Sequence, residues 1–450
     1  MSLLPPGPPM PRLQTLLAML DTPRFLRACA RRYGDPFTLH LPVGRVVATG
    51  HPEGIREIFT ADPAIFGTIT QTTLKPVVGE SSLLLLEGPR HRRERRLLMP
   101  PFHGDRMRAY GALMQEITLR RAAALPRGEE LRGQDLTQGI SLEVIIQAVF
   151  GVQEPGRVRR FQDAISEYFL AYTVPLMFLP KLRRPMAGLG PWDRFQVSAQ
   201  RLEGLLDEEI AMRRASRAAH EDVLSLLLAA RDEEGQPMTD GEIKDELRTM
   251  LIAGHETTAV GLAWALYYVH LLPEVRGRLL EELGGLGPTP SPEALAQSPY
   301  LSAVCDESLR IHPVVALAPR RTLAPFTLRG REIPVGMGVL AVIVLAHGDP
   351  ALYPEPERFR PERFLERKFS PFEYLPFGGG HRRCVGAAFA QYEMKVALGS
   401  LLAAHRFSLV EQGAVKPVRR NVTFGPNTGV RLRYEGAAAA PGARSPRAAA

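Results

Sequence analysis

The chain has 450 residues, of which 45% are hydrophobic and 23% charged, and its formal net charge is +8. This composition is typical of a folded globular protein and excludes disorder over most of the chain. Three cysteines, Cys29, Cys305 and Cys384, are too few and too scattered for a disulfide framework or a zinc cluster. The positive charge indicates an acidic partner, but the basic clusters lack the interleaved aromatics of single-strand binding, so no nucleic acid partner is expected.

The amino-terminal region is rich in proline, and residues 5–11 are expected to form a stiff, extended lead-in. Nothing there resembles a secretory signal. The apolar tract from Thr257 to Val269 is shorter than the roughly 20 residues that span a bilayer. We therefore expect a soluble, cytoplasmic protein with no membrane anchor.

Short helices, a hairpin and a loop are predicted for the first third of the chain. Helices are expected over residues 25–32 and after His51, with a hairpin centred near residues 42–44 between them. Residues 66–82 show no clear period, which predicts a long loop over a ligand. Residues 105–235 are typical of a series of amphipathic helices.

A strongly basic stretch at residues 90–96 contains His91 and Arg95. These two residues are four apart, so on a helix they share one face. A solvated basic face is the simplest interpretation.

The longest predicted helix begins at a capping box, Thr239 to Glu242, and has no proline before Pro273. About 33 residues at roughly 1.5 Å each extend on the order of 50 Å, enough to cross the molecule. Near its middle lies Ala-Gly-His-Glu-Thr-Thr, residues 253–258.

Small residues, an acid and hydroxyls meet in this hexapeptide. Ala253 and Gly254 leave room either for close helix packing or for a small ligand. Glu256 costs free energy within an apolar helix unless it is paired or used. The threonines are expected to hydrogen-bond to the preceding turn and bend the helix.

The next predicted helix carries Glu307 and Arg310, three apart, a spacing usually seen in exposed ion pairs worth under about 1 kcal/mol. An irregular apolar run is expected at residues 314–319, followed by a β-rich section. Residues 387–405 are predicted to form an amphipathic helix. The Ala-, Pro- and Arg-rich residues 436–450 are predicted to be a disordered tail.

One cysteine lies within the sequence Phe377-Gly-Gly-Gly-His-Arg-Arg-Cys384-Val-Gly386. Glycines allow positive φ and a close approach to a flat ligand. Backbone amides together with Arg382 and Arg383 favour a thiolate near neutral pH, and a thiolate binds soft metals strongly. A glycine-rich turn around a buried cysteine is the alternative.

These motifs resemble those of the cytochrome P450 family. The cysteine segment matches its haem-binding loop, F-x-x-G-x-R-x-C-x-G, and residues 253–258 match its oxygen-activation pattern, A/G-G-x-D/E-T-T/S. Arg382 stands where many bacterial relatives carry His. The resemblance covers about residues 5–435 and implies one mainly α domain, residues 1–435, with a smaller β-rich part and haem between the long central helix and the cysteine loop.

The resemblance implies haem b, iron protoporphyrin IX, with Cys384 as the iron ligand. The other cofactor-binding residues would be His91, Arg95, Arg320 (with Arg321 as an adjacent alternative), Phe377, Gly380 and Arg382. Thr257 and Glu256 would be catalytic, in oxygen activation and proton relay. A buried structural network would comprise Glu307, Arg310 and Arg363. The substrate pocket would be lined by Ala253, Gly254, Ala316, Leu317 and Phe424.

The implied reaction inserts one oxygen atom from O₂ into a hydrophobic small molecule, such as a fatty acid, a terpene or another secondary metabolite. Electrons would come from separate proteins, a ferredoxin or flavodoxin with its NAD(P)H reductase. An acidic ferredoxin is expected to dock near Arg92, Arg93, Arg96 and Arg383. The alternatives are a peroxide-driven haem-thiolate enzyme and a haem-based ligand sensor, neither of which needs the relay of Glu256 and Thr257.

Overall fold

A computed structural model describes residues 4–9, 21–41, 44–69, 71–102, 104, 106–216, 221–420 and 422–438. The α-helices of this part are α1 (Thr22–Tyr33), α2 (Pro52–Thr60), α3 (Gln71–Val78), α4 (Gly88–Leu98), α5 (Arg106–Ala123), α6 (Gly133–Val144), α7 (Pro155–Ala171), α8 (Val174–Phe178), α9 (Pro191–Ala215), α10 (Val223–Ala229), α11 (Asp240–Leu271), α12 (Pro273–Gly285), α13 (Pro292–Gln297), α14 (Pro299–Ile311), α15 (Ile343–Ala346), α16 (Arg363–Glu366) and α17 (Ala387–Ala404).

The strands of the same residues are β1 (Phe37–Leu41), β2 (Gly44–Thr49), β3 (Phe66–Gly67), β4 (Glu130–Arg132), β5 (Leu317–Thr322), β6 (Phe326–Leu328), β7 (Arg331–Ile333), β8 (Gly338–Val342), β9 (His405–Leu409), β10 (Pro417–Arg420), β11 (Thr423–Pro426) and β12 (Arg431–Ala437). The mainly helical architecture with a smaller β-rich part agrees with the predicted fold class.

Helix α11 runs through the middle of the helical part. The Thr239 hydroxyl accepts a hydrogen bond from the Glu242 N–H, and the Glu242 carboxylate accepts one from the Thr239 N–H, which is the predicted capping box. Residues 258–267 are all buried. A helix buried on every side must be surrounded by other elements, and α6, α17 and the β10–β11 hairpin pack against it.

Five strands form one mixed sheet in the order β1-β2-β8-β5-β3. Strands β1 and β2 are the predicted hairpin, antiparallel with Leu41 opposite Gly44, and residues 42 and 43 of its turn lie outside the described residues. Strand β2 runs parallel to β8, and the remaining pairs are antiparallel. The order β4-β12-β9 forms a second sheet, and β6–β7 and β10–β11 are separate hairpins.

Two predictions of irregular structure are wrong. Residues 66–82 contain strand β3 and helix α3, and the run at 314–319 enters strand β5 at Leu317. Tertiary pairing decides both cases, since β5 lies between β3 and β8. The predicted tail starts at residue 436, but β12 continues through Ala437, and residues 439–450 are outside the described part.

In the part of the chain that the structure describes, no helix has the length and apolar character needed to cross a membrane.

Candidate functional site

The cysteine loop leads from a short turn into helix α17. A 3₁₀ turn, Gly380–Arg382, precedes Cys384. The backbone N–H of Cys384 donates to the carbonyl oxygen of Phe377 (3.0 Å), which closes the loop. The Gly386 amide donates a hydrogen bond to the sulfur. The loop therefore directs backbone towards the thiol.

The glycines of the loop are needed for two different reasons. Gly378 and Gly380 have φ of 64° and 63°, a region that side chains disfavour. A Cβ on Gly379 would lie 2.1 Å from Cδ2 of Phe59, and one on Gly380 would lie 2.3 Å from the Phe59 carbonyl oxygen. Gly379 and Gly380 thus permit close packing on α2, whereas the sequence predicts an approach to a flat ligand.

The Cys384 side chain keeps accessible surface, yet enough protein surrounds it that burial raises the pKa of the thiol. The Gly386 amide, Arg383 and Arg95 oppose this rise but do not cancel it. The predicted thiolate near neutral pH therefore does not arise from the loop alone. A bound metal cation would reverse the balance, since a coordinating thiol is deprotonated.

Five basic side chains converge beside the loop: His91, Arg95, Arg320, His381 and Arg382. His91 is 3% exposed, and burial together with the other four lowers its pKa to about 3. The His381 and His91 rings meet edge to face with their centres 5.9 Å apart. Burial and the nearby arginines lower the pKa of His381 to about 4. We call these five residues the cationic cluster.

His381 was not predicted as a site residue, because it fills an unspecified position of the loop motif. Arg320 belongs to the cluster, whereas the adjacent Arg321 is exposed. Arg95 links the cluster to the thiol, because its charge lowers the pKa of both His91 and Cys384.

The donors of the cationic cluster suit a dicarboxylate. Burial and the charge of Arg382 lower the pKa of Arg320 to about 10, and burial lowers that of Arg382 to about 10. Both remain cationic at neutral pH. Crowded guanidinium groups repel one another unless anionic oxygens lie between them. The two propionates of haem are such anions, so these residues fit the cofactor implied by the sequence.

Arg382 also holds the segment before α4. Its guanidinium donates to the carbonyl oxygen of Leu83 (3.1 Å) and to that of Leu86. From α11, the Glu246 carboxylate accepts a hydrogen bond from the Leu83 N–H (2.7 Å). Arg382 is therefore shared between this segment and the cationic cluster.

The oxygen-activation pattern lies in one continuous stretch of α11. The Thr257 hydroxyl donates to the Ala253 carbonyl oxygen (2.6 Å), and the helix remains α-helical from end to end. A Cβ on Gly254 would lie 2.9 Å from Cδ1 of Ile145, which begins a π-helical turn after α6. Gly254 thus permits close packing of Ile145 on α11, its place in the pocket stays a prediction, and Ala253 is the member of the pair with an exposed side chain.

Glu256 faces the β10–β11 hairpin. Its Oε1 lies 3.1 Å from Oγ1 of Thr423, a residue only 1% exposed. Burial raises the pKa of Glu256, while the Thr423 hydroxyl and the charge of Arg420 oppose the rise. The carboxyl is therefore paired, as its place in an apolar helix requires. Thr423 was predicted only as part of a hairpin tip.

Glu307, Arg310 and Arg363 form one buried network, each at most 3% exposed. The Glu307 carboxylate lies 2.6 Å from Arg310 Nε and 3.1 Å from Arg363 Nε. It also accepts a hydrogen bond from the Arg360 backbone N–H (2.8 Å). The alternative of an exposed helix pair is therefore excluded.

The remaining pocket candidates lie where the β10–β11 hairpin meets the segment before β5. The Phe424 N–H donates to the Val314 carbonyl oxygen (2.9 Å), and the Trp264 indole donates to the Phe424 carbonyl oxygen (3.2 Å). Ala316 and Phe424 are buried in one apolar cluster, and Leu317 is half-buried against it.

Helix α3 is tied to the last turn of α7 and to the chain that follows α7 by three hydrogen bonds, which we call the α3 latch. The donors are side chains and the acceptors are carbonyl oxygens of α3: Tyr168 to Val77 (2.5 Å), Tyr172 to Thr73 (2.7 Å) and Arg183 to Thr72 (2.7 Å). Pro76 lies inside α3 and has no N–H, so the Thr72 carbonyl lacks its helical partner. Arg183 supplies the missing donor.

The predicted docking surface of four arginines is only partly present. Arg93 is bound by Asp232 (2.6 Å), and Arg96 is paired with Glu233. Both charges are therefore largely compensated within the chain. In the described part of the chain, Arg92 and Arg383 are the two of these four arginines that are exposed and have no such ion pair.

Comparison with known proteins agrees with the motifs. The family model described as "Cytochrome P450" matches residues 5–430. "Putative cytochrome P450 135B1" of Mycobacterium tuberculosis is 36% identical over 437 residues, which is 96% of this chain and 91% of that protein. "Putative cytochrome P450 138" of Mycobacterium bovis is 37% identical over 436 residues, 95% of this chain and 96% of that protein.

Solved structures share the architecture. "Retinoic acid bound cyanobacterial CYP120A1" superposes with a TM-score of 0.85 at 26% identity, covering 97% of this chain and 100% of that one. "Crystal structure of cytochrome P450DA heme domain" also has a TM-score of 0.85, at 24% identity, covering 96% of this chain and 97% of that one. At the second level of identity the likeness concerns the fold alone.

Proposed function

The chain belongs to the cytochrome P450 family, and we propose that it oxidises a fatty acid, a terpene or a similar apolar metabolite with electrons from a separate ferredoxin or flavodoxin. As a member of the family it is a haem-thiolate monooxygenase that uses O₂. Haem, when bound, performs the oxidation, while the protein positions the substrate and tunes the iron.

The haem-thiolate part of the proposal is supported by Arg95, whose charge lowers the pKa of both the Cys384 thiol and His91 of the cationic cluster. A metal ligand and a carboxylate-binding cluster thus adjoin one space. Cys384 would hold the iron. The propionates would be held by His91, Arg95, Arg320 and Arg382, with Phe377 and Gly380 shaping the loop.

Proton handling falls to α11. Glu256 has a raised pKa because of burial, which suits a general acid working near neutral pH. Thr257 follows it in the chain, and its half-buried hydroxyl donates to the Ala253 carbonyl oxygen. We infer that Glu256 supplies protons and that the Thr257 hydroxyl passes them towards the place where O₂ would bind.

A hydrophobic substrate is supported by a relative. One solved structure of similar fold is described as retinoic acid bound. Retinoic acid is an isoprenoid chain that ends in a carboxylic acid, so it shares features with both terpenes and fatty acids. Ala253 has an exposed apolar side chain and Leu317 a half-buried one, and the buried Ala316 and Phe424 back Leu317, so these residues could line an apolar pocket of the kind that such ligands need.

The test of substrate class is a titration of the haem-loaded protein with long-chain fatty acids and, separately, with sesquiterpenes. A saturable low-spin to high-spin shift with one class identifies that class. A shift with neither overturns the proposed class and directs the search to larger secondary metabolites. Cys384→Ala, prepared in the same way, should lose the haem-thiolate spectrum, which checks that Cys384 is the iron ligand.

The variant Thr257→Ala separates the three candidate activities. A monooxygenase that depends on the hydroxyl releases peroxide in place of product. A peroxide-driven enzyme keeps its turnover with added peroxide, and a sensor keeps its ligand affinity. Unchanged coupling of O₂ consumption to product would refute the role given to Thr257.

A further inference from the structure

The Thr423 hydroxyl lies between two acceptors. Its Oγ1 is 3.1 Å from the Glu256 carboxyl and 2.8 Å from the Arg420 carbonyl oxygen. Both contacts are within hydrogen-bond range. The residue is 1% exposed, so bulk water does not replace either contact freely.

A hydroxyl has one proton to donate, and this decides which charge state of Glu256 satisfies the site. If Glu256 is ionised, its carboxylate and the Arg420 carbonyl compete for the single Thr423 proton. If Glu256 is protonated, it donates to Thr423 Oγ1, and the Thr423 proton goes to the Arg420 carbonyl. The two states thus differ by the proton on Glu256 and by the direction of the Thr423 hydroxyl hydrogen.

The hairpin that carries Thr423 is held firmly against α11. The next residue, Phe424, donates from its N–H to the Val314 carbonyl oxygen and accepts from the Trp264 indole. The oxygen of Thr423 is therefore fixed beside Glu256, one residue before Thr257. On the other side of Thr423 the chain is accessible to solvent, since the preceding residue, Val422, is 47% exposed.

Among the residues that the structure describes, Arg420 is the one whose charge affects the pKa of Glu256. Arg420 lies on the facing hairpin, and its charge opposes the effect of burial together with Thr423. On its own helix the neighbouring His255 is turned away, with its ring against Phe169 at 4.9 Å between centres. Without the Thr423 hydroxyl, burial would hold a proton on Glu256 more tightly.

We propose that Thr423 is a positioning residue for the proton relay, and that its hydroxyl turns from the Arg420 carbonyl to Glu256 when Glu256 releases its proton. The proton leaves Glu256 towards Thr257, and the resulting carboxylate receives the Thr423 hydrogen bond. A proton taken up from bulk solvent then reprotonates the carboxylate, and the hydroxyl turns back. The catalytic purpose of this switch rests on the proposed function, whereas its geometry is independent of that function.

The first test follows the charge state of Glu256 directly. The infrared carbonyl band of its protonated form, assigned by its absence in Glu256→Gln, is titrated against pH in the haem-loaded protein. Thr423→Val should raise the midpoint by about one pH unit, because the carboxylate loses its donor. Thr423→Ser should keep the midpoint within a few tenths of a unit. An unchanged midpoint in Thr423→Val overturns the proposal.

Thr137→Val is the matched control. The Thr137 hydroxyl is also fully buried and also donates to α11, at the Ala259 carbonyl oxygen (2.8 Å). It should leave the midpoint in place, and an equal shift there would mean that the effect is not specific to Thr423. Thr423→Ala repeats the test without the added methyl group if the valine variant folds poorly.

The second test measures the fraction of consumed O₂ that appears in product as a function of pH. In Thr423→Val this fraction should fall, and its pH profile should move in the direction of the infrared midpoint. Thr423→Ser should restore both. If Thr257→Ala is fully coupled, the relay role that the proposed function gives to Thr257 fails, whereas the infrared titration still decides the role of Thr423.

Discussion

Nε2 of His347 accepts a hydrogen bond from the backbone N–H of Leu375 at 3.0 Å. The opposite ring atom, Nδ1, lies 3.1 Å from the Arg310 carbonyl oxygen, so it must carry the proton. The neutral ring thus connects α14, which bears the buried network, to the segment that enters the cysteine loop. Burial and the charge of Arg310 lower the pKa of His347 to about 3.

This neutral histidine should make the fold sensitive to acid. In the unfolded chain its pKa is about 6.5, so between pH 6.5 and about 3 the unfolded state binds the extra proton and stability falls as pH falls. The loss is about 1.4 kcal/mol per pH unit. The free energy of unfolding, measured with denaturant on the haem-loaded protein at pH 7, 6 and 5, should therefore depend less on pH in His347→Gln. The difference corresponds to one fewer proton taken up on unfolding.

The control for this measurement is Tyr353→Phe, because Tyr353 is a buried ring beside His347 and a tyrosine does not change charge between pH 5 and 7. Its slope should equal that of the unmodified protein. Other buried histidines, such as His312 with a pKa lowered to about 3 by burial, keep their share of the slope in both variants. An unchanged slope in His347→Gln would contradict the assignment.

Removal of the Glu307 carboxylate should destabilise the protein strongly. In Glu307→Ala the guanidinium groups of Arg310 and Arg363 stay buried without their anion, which costs roughly 3 to 5 kcal/mol. Urea unfolding measures the loss. Glu357→Ala, which removes an exposed partner of Arg27, should cost under about 1 kcal/mol; equal costs in the two variants would show that the network contributes nothing special.

Arg320 should retain the cofactor. Because a hydrogen bond to a charged partner is worth about 1.5 to 3 kcal/mol, Arg320→Gln should speed haem loss on the order of 10- to 100-fold. Transfer of haem to an excess of a competing apoprotein gives the rate. Arg321→Gln alters the next residue, whose side chain is exposed, and should leave the rate unchanged. Similar rates in the two variants would exclude Arg320 from the site.

Electron transfer should depend on Arg92 and Arg383 more than on the compensated pair. Charge reversal of these two exposed residues should raise the KM for an acidic ferredoxin and flatten its dependence on salt, since steering by exposed charge is screened by ions. Reversal of Arg96, which is already paired with Glu233, should have a smaller effect. Stopped-flow reduction at several ionic strengths distinguishes the two. Equal effects would place the docking surface elsewhere.

The α3 latch should control how often α3 opens. Tyr172→Phe removes one donor, and amides of residues 71–78 should exchange with solvent several-fold faster, because a hydrogen bond is worth about 1 kcal/mol. Mass-spectrometric hydrogen exchange measures this. Tyr110→Phe, which loses a contact to the Glu221 carbonyl oxygen, should change exchange at its own site and leave α3 as it was.

Sequence patterns were informative where one residue type has few alternatives. The capping box at Thr239 and the hairpin of β1 and β2 follow from local chemistry, and both are present. Helix α3 was mistaken for a loop because Pro76 and its polar neighbours argue against a helix locally. The side chains that donate to the carbonyl oxygens of α3 lie about 100 residues further along the chain, where no local pattern points to them.

The same limit applies to the site. The loop motif predicts Cys384 and the resemblance predicts Arg320, but His381 occupies an unspecified position, and the contact of Thr423 with Glu256 joins residues 167 apart in the chain. The predicted approach of the loop glycines to a ligand stays a prediction, and a glycine does not reveal from sequence which protein neighbour occupies its open side. Only packing shows that the neighbour is Phe59.

The contact of the glycine run with Phe59 also constrains how the family sequence can vary. At 379 the obstacle is a ring, so alanine there would become tolerable if residue 59 were small, and the two positions should change together among relatives. At 380 the obstacle is a backbone carbonyl, which no substitution at 59 removes. Gly378 has no such neighbour, and its backbone angle alone restricts it. The three adjacent glycines therefore differ in whether a second mutation could make a larger residue tolerable at that position.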